Sequence, residues 1–66
     1  MKLKALDIVV LRYDLPEHDM HEGELGAVVD VYEPNAIEVE FVEASGRTKA
    51  LLTLDVSAVR ALNDAA

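Results

Sequence analysis

The stretch AIEVEFVEASGRTKALLTL, residues 36 to 54, constrains the fold most. Ile37, Val39 and Phe41 alternate with Glu38 and Glu40, a period of two that a β-strand turns into one apolar and one polar face. The turn-forming residues EASGRT (43–48) follow, and then a second apolar run, KALLTL (49–54). Pairing Glu43 with Thr48 sets Phe41 opposite Ala50 and Val39 opposite Leu52. It also sets Glu40 beside Leu51 and Val42 beside Lys49 on the outer face. That register sends both apolar sets to one side, which is what fixes register in a half-buried sheet. Leu51 is left outside, flanked by acids.

The other apolar runs are equally short and bounded by turn residues. LDIVVLR (6–12) is rich in β-branched residues and reads as strand one. Ile8 and Val10 fall on one face, Val9 and Leu11 on the other, as suits a barrel strand with something packed outside it. A loop follows from Tyr13 to Leu25, opened by Pro16; structureless loops of this length are uncommon in compact domains and are often functional. GAVVDVY (26–32) is strand two, with Gly26 permitting a bend or a close backbone approach. EPN (33–35) is a turn whose type stays open, because Pro34 fits poorly at the second turn position. In LDVSAVRAL (54–62), Asp55 is placed to cap a single 3-10 turn before a last strand at Val59 to Leu62. The tail NDAA is expected to fray.

With 66 residues and no cysteine, the chain makes one small domain without disulfides. A domain of this size buries only about 60% of its unfolded surface. The expected fold is all-β: a small five-stranded SH3-like barrel over residues 1–66, core about 6–62, with a long loop after strand one and a 3-10 turn before the last strand.

Charge is unevenly distributed. The net charge is −7, and between Tyr13 and Gly46 there are ten acids and no Lys or Arg. Such a surface repels phosphate backbones, which argues against nucleic acid as a partner and for a basic protein. The plainer role of the same charge is to keep a small domain soluble. No stretch approaches the roughly 20 apolar residues of a membrane helix. The opening MKLKALDIVVLRYD is interrupted by Asp7 and Arg12 and lacks a small-residue cleavage site, so it does not read as a signal peptide. A cytoplasmic location is expected, with no membrane partner.

Chemistry, if present, would concentrate in DLPEHDMHEGELGAVVDVY (14–32). His18 and His21 are three apart among Glu17, Asp19, Glu22 and Glu24. Imidazole and carboxylate suit zinc, copper or nickel, and a helical loop would put both histidines on one face. Pro16 and Gly23 argue instead for irregular backbone, and no third soft ligand lies at a defined spacing. The structural alternative is that Leu15 and Met20 tuck under the barrel while the polar residues face solvent. Ser45, Thr48, Thr53 and Ser57 sit in no nucleophile elbow. Glu38 and Glu40, about 7 Å apart on one strand face, could mimic a glycosidase pair but lack a surrounding cleft. GELG lacks the lysine and following helix of a phosphate loop. No catalytic residue and no cofactor are therefore assigned.

DIVVL, DLPEH, GELGAVVDVY, EVEFV, GRTKALLTL and VRAL together resemble the small bacterial DUF4926 family, over about residues 6 to 62. The G-x-x-G-x-V-V piece is also similar to part of the barrel in nitrile hydratase β subunits and KOW-type domains. The resemblance implies a stand-alone small barrel without an assigned activity. It also implies an antitoxin or immunity role, since some members are encoded beside small toxin-like proteins. His21 departs from the family pattern, where a basic or polar residue is more usual, and Met20 stands where an apolar residue is expected.

These observations favour a non-enzymatic interaction module that covers a basic surface on another protein, as an antitoxin-like inhibitor does. The residues expected to meet that partner are Glu17, Asp19, Glu22 and Glu24 on the loop, Glu38 and Glu40 on the sheet, and Tyr13 and Tyr32, each ending a strand near the long loop. Two other classes stay open. One is metal binding or delivery through His18 and His21. The other is a self-associating structural module, because marginal size and an exposed Leu51 both invite oligomer formation.

Overall fold

A computed structural model of the chain describes residues 2–62. Five antiparallel strands form one sheet: β1 (Ile8–Leu11), β2 (Leu25–Tyr32), β3 (Ala36–Val42), β4 (Thr48–Asp55) and β5 (Val59–Ala61), in the order β4-β3-β2-β1-β5. That is the meander of an SH3-like barrel, in which the last strand returns to the first. The sheet stays open, because β4 and β5 are not hydrogen-bonded to each other. Two 3-10 turns, Pro16–His18 and Val56–Ala58, complete the elements. Among the described residues no helix is long and apolar enough to cross a membrane.

The β3–β4 register expected from sequence holds for Phe41 opposite Ala50, Val39 opposite Leu52 and Glu40 opposite Leu51. It fails at the turn. Val42 pairs with Thr48 rather than Lys49. The Glu43 N–H reaches the Arg47 carbonyl, Gly46 takes φ +90, and Lys49 is left over as a bulge. A second bulge, at Val29, was not foreseen. It inserts one residue between Val28 and Asp30, so that Val28 points into the core and Asp30 still points out.

β1 is shorter than the 6–12 expected. The Asp7 carboxylate accepts from the Lys4 backbone N–H at 3.0 Å, and Leu6 takes φ +77; this turn stops the strand at Ile8. The core also begins earlier than residue 6, since Leu3 is buried. Phe41, Leu11, Met20, Ile37, Val9, Val28, Val39 and Val59 fill the interior. Gly26 has a packing reason: a Cβ there would stand 2.6 Å from Val39 Cγ1 and 2.9 Å from the Phe41 ring. As anticipated, Asp55 caps the second 3-10 turn, accepting from the Ser57 N–H at 2.8 Å, and this hydrogen bond holds its carboxyl below the usual range. The last strand ends at Ala61 rather than Leu62. The tail at 63–66 lies outside the described residues.

Candidate functional site

Strand parity builds an acidic outer face. Asp30, Glu38 and Thr53 share one row across β2, β3 and β4. Ile8, Ala27, Glu40 and Leu51 make the next row, across β1 to β4. Hydroxyls orient both strand glutamates. The Tyr32 O–H donates to Glu38 Oε1, and the Thr48 O–H donates to Glu40 Oε2. Holding its proton against Glu38 raises the Tyr32 phenol above the ordinary value; desolvation and the charges of Glu38 and Asp30 add to this.

Sequence reasoning missed part of this face. Ile8 and Leu25 join Val42 and Leu51, both expected on the outer face, as apolar side chains between 41% and 55% exposed. Single exposed leucines are ordinary, but several in adjoining rows make a patch. The available signal was parity. The sequence reading ends the loop at Leu25, whereas this residue is the first of β2 and lies opposite Val10.

The loop is more ordered than expected. It carries the 3-10 turn Pro16–His18 and a bridge between Leu15 and Met20. Met20 is fully buried and Leu15 nearly so, which confirms them as anchors. Asp14 Oδ1 accepts the Glu22 N–H at 2.8 Å. Glu24, expected as a partner contact, is used by the fold: it accepts the His21 N–H at 2.8 Å and the Lys49 ammonium at 3.0 Å. Partial burial alone would raise its carboxyl, but these two donors outweigh it and the pKa falls. Glu17, Asp19 and Glu22 remain exposed.

His18 and His21 do not share a helix face. The turn stops at His18 because Asp19 takes the left-handed conformation, φ +54. His21 Nε2 lies 3.8 Å from Asp19 Oδ1. Among the described residues no three His, Asp or Glu side chains converge as a metal site would require.

The two tyrosines do not flank one surface. Tyr13 lies beside the loop, but Tyr32 ends β2 at its far side, opposite Ala36. The eight residues from Leu25 to Tyr32 place the two strand ends roughly 23 Å apart. The expected patch is therefore two: a loop rim with Glu17, Asp19 and Glu22, and a sheet face with Asp30, Tyr32, Glu38 and Glu40. Arg12 and Arg60 together line a small cleft beside Val10 and Glu22, and Arg60 shares a cross-strand row with Val10 and Leu25.

A family model described as "Domain of unknown function (DUF4926)" matches residues 5–61. Comparison with curated proteins and with solved structures returns no match.

Proposed function

We propose that the chain, which belongs to the DUF4926 family, is a non-enzymatic module that binds a basic surface on another protein, in the manner of an antitoxin-like inhibitor. The observation that carries this reading is the outer face of β2–β4. There Asp30, Glu38 and Glu40 stand beside exposed Leu25, Val42 and Leu51. Acids alone steer encounter and reject acidic partners. Apolar side chains among them supply the area that a specific interface has to bury. Hydroxyl contacts from Tyr32 and Thr48 limit the rotamers of the two glutamates, so less side-chain entropy is lost on binding. The loop rim of Glu17, Asp19 and Glu22 extends the attraction.

The test is retention of host proteins on the immobilised chain at low salt, followed by stepwise salt elution. Proteins of basic isoelectric point are expected to bind and to elute as salt rises. The double variant Glu38→Gln, Glu40→Gln is expected to retain them more weakly. Binding that ignores ionic strength, or that the double variant leaves unchanged, refutes the reading.

A further inference from the structure

We infer that β4 is a self-complementary edge, and that a second copy of this chain pairs with it antiparallel, centred on Leu52. The Val56 N–H donates to the Asn35 carbonyl at 2.8 Å, which makes Ala36 and Asp55 a non-hydrogen-bonded pair. Alternation along the ladder then turns the N–H and C=O groups of Leu54 and Leu52 toward β3. Those of Thr53 and Leu51 face the open side. Among the described residues β3 is the only strand beside β4 in the sheet, and the side chains of Leu51 and Thr53 are exposed.

Protein sheets protect such edges with lysines, bulges, prolines or inward charges. Here the protection stops at the ends. The Lys49 bulge guards one end and Asp55 the other, while Ala50 to Leu54 carry no charge and no proline. Ala50, Leu52 and Leu54 pack on the core yet stay only partly buried, so an added strand would finish covering them.

The choice of a second copy rests on charge. Edge-facing residues must meet edge-facing residues, which allows registers two residues apart. The register centred on Leu52 sets Leu51 opposite Thr53 of the second copy and brings Lys49 opposite its Asp55. The two charged guards thus become opposite-sign partners, twice, about a two-fold axis. Lys49 already holds Glu24, so the cross-copy pair supplies complementarity of sign rather than a preformed bridge. One short ladder falls well below the roughly 800 Å² per partner of a standard interface, and each copy carries −7. The expected dimer is weak and concentration-dependent, with a Kd on the order of 0.1 mM.

Sedimentation equilibrium of the whole chain is expected to show monomer passing to dimer as concentration rises. Thr53→Pro removes an N–H that β3 does not use. One hydrogen bond per copy is lost, so the Kd should rise about thirtyfold. Because the chain has no cysteine, disulfide trapping reads the register even if the proline variant fails to fold. Mixed Leu51→Cys and Thr53→Cys proteins should cross-link faster than either variant alone, because like positions are offset by two residues, roughly 8 Å between Cα atoms and too far to bridge. A chain still monomeric at about 1 mM, or homodisulfides that form as fast as the mixed one, overturns the inference.

Discussion

The two acidic regions of the molecule use their carboxylates differently. In the loop, Asp14 and Glu24 serve the backbone, accepting the N–H groups of Glu22 and His21. The loop is then fastened to the barrel by Met20 inside and by Lys49 outside. On the sheet, the β3 backbone is already satisfied by its neighbours, so Glu38 and Glu40 accept from side-chain hydroxyls instead. Acids in irregular backbone are drawn into building it, because unpaired N–H groups there need acceptors. The two β3 acids are left for the surface, whereas Asp30, next to the Val29 bulge, accepts the Val31 N–H at 2.8 Å. An equal count of charges in two stretches is therefore not an equal offer to a partner.

The largest expected effect separates the loop's anchor from its rim. Met20→Ala empties a fully buried site and should destabilise the domain by about 3 kcal/mol, read as a lowered urea midpoint. Glu17→Gln on the exposed rim should stay within about 0.5 kcal/mol. If Met20→Ala costs as little as Glu17→Gln, the loop is not tied to the core, and the contrast between the two regions fails.

The next effect is smaller and pH-dependent. Glu24 has its pKa lowered in the folded chain, so the unfolded chain binds more protons as pH falls through the carboxylate range. Its contribution is present above the ordinary carboxylate pKa and is lost as pH falls through the folded value. Glu24→Gln should therefore lower stability at neutral pH and converge on the parent in acid, as followed by thermal unfolding between neutral and acidic pH. A constant difference at every pH would mean that the Lys49 contact does not act through charge.

The hairpin was legible because alternation in AIEVEFV and KALLTL specifies a face, and one face is buried. The 3-10 turn at Val56–Ala58 was legible from its Asp55 cap, and the loop anchors from two apolar residues, Leu15 and Met20, stranded in a polar segment. Both bulges were not. An extra residue at Val29 or Lys49 leaves each apolar run looking continuous, and only the partner strand shows the slip. Part of the outer patch was hidden too: Val42 and Leu51 follow from the alternation of the hairpin, but Leu25 joins the face only because β2 starts one residue earlier than its apolar run suggests. Tyr32 was placed near the loop because both tyrosines end strands, yet antiparallel β1 and β2 send those ends in opposite directions.

The smallest effect isolates the sheet acids. The Tyr32 phenol is raised above the ordinary tyrosine value chiefly by its hydrogen bond to Glu38. Breaking that bond requires no change in the core, since both side chains lie on the outer face. In a Tyr13→Phe background one tyrosine remains, and its ionisation can be followed by ultraviolet absorbance in alkaline solution. Adding Glu38→Gln should move that ionisation back toward the ordinary value by removing both the charged acceptor and its repulsion of the phenolate. The effect on unfolding free energy at neutral pH should stay within about 0.5 kcal/mol. A phenol that titrates identically with Glu or Gln at position 38 would show that the carboxylate is not held. The sheet acids would then be no better oriented toward a partner than those of the loop rim.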